Sequence, residues 1–200
     1  MSTNPRELRH SKAPVVRSQI RGLRAVVQHS SALALSAPEN DRIGHVLAAN
    51  MNAGFALELG LKLFAMTFAD VVPQGHHLKT LYEGLPSQIQ GDIASTYENA
   101  LHGSNATVTS LALQVSAAQP SKPSGSLTGA IGWATAPNFF ESANHTFVQA
   151  RYFYEDVGAG AWAAIDHPAA YLDAMIGTLD VVYQAYLDHG GYGPQHFLSP

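Results

Sequence analysis

The chain contains no cysteine. Disulfides and thiolate metal sites are therefore excluded, and the redox compartment stays open. Charge is scarce as well. Asp, Glu, Lys and Arg make up 13% of the 200 residues, roughly half the ~25% usual for soluble domains. So thin a charged coat predicts that part of the surface is covered, by a second copy or by a partner protein. After Arg151 there is no Lys or Arg at all, while Glu155, Asp156, Asp166, Asp173, Asp180 and Asp188 follow. Between Met1 and Arg24 no apolar run of signal-peptide type occurs, so a cytoplasmic protein is expected. A net charge of −4 argues against wholesale coating of nucleic acid. No His-x-x-x-His or His-Glu-x-x-His spacing is present, and the adjacent His76 and His77 would diverge in a helix. No metal and no other cofactor is expected on these grounds. A G-x-S-x-G elbow is also missing.

What the chain does have is apolar residues, 46% of the total, enough for one domain with a sizeable core. The stretch NMNAGFALELGLKLFAMTFAD, Asn50 to Asp70, is apolar nearly all round a helix and predicts a buried one. Its length would suit a membrane span, but Glu58 and Lys62 sit mid-segment, where each charge costs roughly 2.5–3.5 kcal/mol. Burial in a water-soluble core, with no membrane contact, is preferred. Glu58 and Lys62 are four apart, Glu first, the favourable orientation on one face. Two readings stay open: a solvated surface pair, or a pair lining a cleft with further partners.

The organisation predicted is a flexible basic arm over 1–14, a helical domain over 15–190 and a tail over 191–200. The arm region carries Arg6, Arg9 and Lys12, and Arg17, Arg21 and Arg24 follow. These cations either bind phosphate backbones or pair with the acidic C-terminal region of the same or another copy. Helices are expected from Val15 to Leu35, from Pro38 to Asp70, from His76 to Leu85, from Ser87 to Leu101, from Pro137 to Tyr154 and from Pro168 to His189. Ser36 and Glu39 read as a capping box for the second helix, and Asp166-His167-Pro168 as the start of the last. Gly44, Gly54 and Gly60 weaken the long helix and suggest close approach of a neighbour. Asn105 to Gln114 reads as a short helix. Residues 119–136, with Pro120, Pro123 and Gly125, form a long irregular connection. Val148 to Tyr154 could pass as a strand, but one strand makes no sheet. The fold class expected is an all-α helical bundle.

Three motifs in order carry a resemblance: Glu58-Leu59-Gly60-Leu61-Lys62, then Gly75-His76-His77-Leu78 with Leu81 and Leu85, then Arg151-Tyr152-Phe153-Tyr154-Glu155. Together, over roughly residues 40 to 156, they resemble the HEPN superfamily, in particular its HEPN-like proteins of unassigned role. The resemblance implies a helical bundle, usually a homodimer. It also implies that Glu58, Lys62, His76, Arg151, Tyr154 and Glu155 lie near one another. In that cluster Arg151 would hold a carboxylate and His76 would bridge helices, as a polar network or as a site for RNA or a nucleotide-like anion. His76, Arg151 and Glu58 would be the catalytic candidates if there were catalysis. Catalytic HEPN proteins are metal-independent ribonucleases with an Arg, four to six residues and a His in a late helix. Here that pair is missing, since His167 is the next histidine after Arg151. Arg24 and His29 have the spacing, but early in the chain. A non-catalytic interaction or regulatory module is therefore expected, with a divergent ribonuclease as the alternative.

Overall fold

A computed structural model describes residues 5–114, 130–157 and 162–190; side chains at 5–11, 39–40, 112–114, 130–131, 154–157 and 162–163 stand outside that description. Six α-helices dominate: α1 (Pro5–Ser36), α2 (Glu39–Phe68), α3 (Leu78–Glu83), α4 (Ser87–Leu101), α5 (Ala136–Val157) and α6 (Ala169–Asp188). The expected helical bundle is observed.

α1 and α2 form an antiparallel hairpin around a tight turn at Ala37-Pro38, closed by Ala37 N–H to Leu33 O at 2.8 Å and Asp41 N–H to Pro38 O at 3.0 Å. Ser36 does not cap α2 as expected. It is the last residue of α1, and its hydroxyl donates back to Ala32 O at 3.3 Å. A helical Ser36 is not placed to cap the next helix, and Pro38, extended at ψ 152°, starts α2 without a side-chain cap. α1 itself begins at Pro5, so residues 5–14, expected as a flexible arm, continue the helix. Proline suits a first helical position. Pro14 lies inside the helix, where it removes a backbone hydrogen bond. Burial of Ala13 in the main core holds that turn in place. Residues 1–4 and the tail 191–200 lie outside the described residues.

α2 is the centre. Leu57, Leu61 and Phe64 are fully buried among α1, α5 and α6. Two of its glycines act as the sequence suggested. A Cβ on Gly54 would overlap the Phe147 ring of α5, and one on Gly60 would come within 2.9 Å of Leu179 Cδ1 of α6. Gly44 meets nothing within 4 Å. The α6 stripe Leu172, Met175, Ile176, Leu179, Val182, Tyr183 and Tyr186 is buried as its spacing predicts. Trp133, in a 3₁₀ turn over Ala130–Trp133, is fully buried, and its carbonyl accepts from Tyr97 Oη at 2.6 Å. Most of the expected irregular connection, 119–129, lies outside the described residues.

Two segments differ from expectation. Thr109–Gln114 is a strand, β1, rather than part of a short helix. It pairs antiparallel with β2, Trp162–His167, in the register Thr109↔His167 to Gln114↔Trp162. The partner of β1 is some fifty residues away, beyond the reach of any local pattern. Asp166 and His167 therefore end a strand, and α6 starts after them at Ala169. Val148 to Tyr154, which could also pass as a strand, is helical within α5 as expected.

Candidate functional site

Glu58 organises the polar cluster that the sequence marked. Its carboxylate lies one turn before Lys62 on α2, and Glu58 Oε1 is 2.8 Å from Lys62 Nζ. α2 ends at Phe68; Asp70 then takes a left-handed conformation at φ 54° and Gly75 another at φ 80°. These bends return the chain so that His76 Nδ1 comes within 2.8 Å of the same Glu58 oxygen, 18 residues back. His77, next in line, caps α3 by accepting from Thr80 N–H at 3.4 Å. Leu78 N–H donates to Asn144 Oδ1 of α5 at 3.2 Å, which ties the returning loop to the bundle. Glu58 is 8% exposed. The His76 side chain is 72% exposed and that of Lys62 21%. The carboxylate is thus sunk in the wall, with one cationic and one imidazole partner at its rim. A carboxylate only accepts, so Nδ1 of His76 carries the hydrogen in the contact and Nε2 is directed away from Glu58.

Arg151 does not join this cluster. It is exposed on α5, its guanidinium lies 5.5 Å from the centre of the Tyr152 ring, and it meets no carboxylate among the described side chains. Direction explains this. α5 runs antiparallel to α2: Phe147 sits over Gly54, while Ala150 and Phe153 cluster with Val46 and Leu47. Four residues on from Gly54 is Glu58, and four on from Phe147 is Arg151, each step about 6 Å in opposite directions. The two groups end about 12 Å apart along the helices. The side chains of Tyr154 and Glu155 lie outside the described residues. Arg24 and His29 do not converge either. They are about 140° apart around α1, Arg24 is engaged by Asp173, and His29 is exposed.

The basic N-terminal segment has a defined use. Arg17 Nη2 meets Asp180 Oδ1 at 2.7 Å, and Arg21 Nη2 meets Asp180 Oδ2 at 2.9 Å. Arg24 holds Asp173 bidentately, Nε to Oδ1 at 2.7 Å and Nη2 to Oδ2 at 2.9 Å, and Gln28 adds a bond at 2.8 Å. Of the two expected roles for these arginines, pairing within the chain is the one observed. The hydrogen bonds from Arg24 hold the Asp173 carboxyl below its ordinary range. Burial pushes Asp180 up, but Arg17 and Arg21 outweigh it and the net direction is down.

A second polar junction was not marked by the sequence. Asn50 of α2, Ser31 of α1 and His167 at the end of β2 meet in the interior. His167 Nδ1 is 2.8 Å from Asn50 Oδ1, and its Nε2 is 3.1 Å from Ser31 Oγ. Asn50 Nδ2 donates to Asp166 O at 2.8 Å, so Asn50 Oδ1 is left to accept from Nδ1–H and Nε2 accepts the Ser31 hydroxyl. Ser110 of β1 bonds the Asp166 carboxylate. Burial alone lowers the His167 pKa from 6.5 to about 4, so the ring is neutral. The spacing Ser–His–Asn is that of a nucleophile, base and orienting group, but all three side chains are buried. It fastens α1, α2 and the strand pair together.

The fold and the two junctions define a helical bundle whose polar groups are largely satisfied from within. Among the described residues no helix is long and apolar enough to cross a membrane, and no three His, Asp or Glu groups converge as a metal ion would need. No protein-family model, curated protein or solved structure matches this chain.

Proposed function

We propose that the chain is a non-catalytic, HEPN-like module that acts by association, as a homodimer with a regulatory role, through the outer face of α2 and α5. The observation that carries this reading is Phe55, 44% exposed on the central helix. Its ring packs edge-on against Phe147 at 5.5 Å. Phe55 lies about 100° round α2 from Gly54, and Val148 about 100° round α5 from Phe147. In an antiparallel pair these rotations carry both residues to the same side. Exposed Phe55, Val148 and Tyr152 therefore share one face, with Lys62 and His76 at one end and Arg151 at the other. Apolar patches rimmed by polar groups mark association surfaces. The low charge content of the chain agrees. Binding of RNA by the basic segment has less support, because Arg17, Arg21 and Arg24 already face carboxylates.

Light scattering on a sizing column at micromolar concentration tests the reading. The wild type should run at twice the monomer mass and Phe55→Glu at the monomer mass. A wild type that is monomeric, or a variant that stays dimeric through this range, removes the reading.

One observation favours the ribonuclease alternative: a buried carboxylate holding an exposed imidazole has the geometry of an oriented general base. Incubation with single-stranded and structured RNA in EDTA decides it. Cleavage that disappears in His76→Ala would make this a ribonuclease with an unusual site. Absence of cleavage leaves the association reading in place.

A further inference from the structure

We propose that the groove between α1, α4 and α6 binds a carboxylate carried on an apolar stem, with Arg24 as its receptor. The groove has a volume of about 450 Å³ and is lined by Arg24 on one wall, Thr96 and Ala100 on another, and Ala174, Gly177 and Val181 below. That volume lies within the range of small-molecule sites. The guanidinium is seated on the backbone of α6. A Cβ on Gly177 would stand 2.8 Å from Arg24 Nη2, 2.9 Å from Nη1 and 3.0 Å from Cζ, so glycine is what admits the group there.

Asp173 fixes the orientation of that guanidinium by occupying its Nε–Nη2 edge. Nη1 has no hydrogen-bond partner among the described residues. The Nη1–Nη2 edge is therefore the free one, and a planar fork of this kind matches a second carboxylate. Local charge permits it. Arg17, Arg21 and Arg24 face Asp173 and Asp180, three positive charges against two negative. Thr178, on the same groove, has a buried hydroxyl without a partner. Beyond the anion seat the lining is small and apolar, ending in Val181, which is 60% exposed. An acyl chain or the last apolar residues of a peptide suit that floor, whereas a bare inorganic anion leaves it empty.

The probes are octanoate, with octanamide as the uncharged match, and the peptide Ala-Leu-Ala-Leu with a free or an amidated C-terminus. Binding is followed on full-length protein by calorimetry and by amide NMR shifts. Octanoate or the free-acid peptide should bind at least tenfold more tightly than its neutral match, with shifts at Arg24, Ala100 and Gly177. The tighter of the two identifies the source of the carboxylate. Ala100→Phe, at an exposed position that fills the groove, should abolish binding with little change in melting temperature. Arg24→Lys should weaken it at least tenfold. Equal binding of acid and amide, no binding of either acid, or binding unchanged in Ala100→Phe overturns the proposal.

Discussion

Acid should loosen this fold at one identifiable point. His167 is 4% exposed and neutral, and its pKa lies near 4 against an ordinary 6.5. The unfolded chain therefore takes up a proton around pH 6.5, and the folded chain only around pH 4. Between these values the unfolded state binds more protons, so stability falls as pH falls. From pH 7 to pH 5 the loss is about 2 kcal/mol, approaching about 3 kcal/mol below pH 4. For a domain of this size, 2 kcal/mol is about 4–8 °C in melting temperature. Asp173, Asp180 and Glu141 are shifted downwards from 3.8, 3.8 and 4.5, so their stabilising effect is lost at lower pH and does not fill this window. The groups around the ring are Ser31 from α1, Asn50 from α2, and Asp166, its strand neighbour, whose carboxylate is bonded by Ser110 from β1. Urea unfolding of the wild type and His167→Gln at pH 5, 6 and 7 is the assay. The variant should be weaker at pH 7 and nearly flat with pH. Equal losses in the two proteins between pH 7 and pH 5 would refute the reasoning.

Two further perturbations probe the frame and the Glu58 cluster by the same unfolding measurement. Gly54→Ala should destabilise by about 1–3 kcal/mol, because its methyl meets the Phe147 ring. Gly44→Ala, with open space around it, should instead stabilise by up to ~1 kcal/mol; the same sign at both sites would contradict the close approach of α5 to α2. Glu58→Ala should cost about 2 kcal/mol, between the values for exposed and fully buried pairs, since Lys62 loses its counter-charge. A change below about 0.5 kcal/mol would mean that the pair behaves as a solvated one.

Sequence alone determined most of the helices of this protein, though not the start of α1 at Pro5 or the strand at Thr109–Gln114. An apolar stripe every three to four residues is a local property, so the spans of α2, α4 and α6 and the inward residues of α6 could be read without a partner in view. The same holds for Gly54 and Gly60, whose small size signalled close neighbours, and for Glu58 with Lys62, which one turn of helix forces together. Tertiary structure decided whatever depends on how elements are levelled against each other. His76 reaches Glu58 only because the loop after α2 folds back. Arg151 is carried away from Glu58 because α5 runs opposite to α2, although the family resemblance implied that the two lie in one cluster. β1 has a strand's alternation, yet without β2 it has no sheet to join. The Ser31, Asn50 and His167 junction joins residues 117 and 136 positions apart, and no short-range pattern marks such a meeting. The sign pattern of the chain, arginines early and aspartates late, suggested an attraction; the register of α1 on α6 fixed which pairs formed and left one edge of Arg24 without a partner among the described residues.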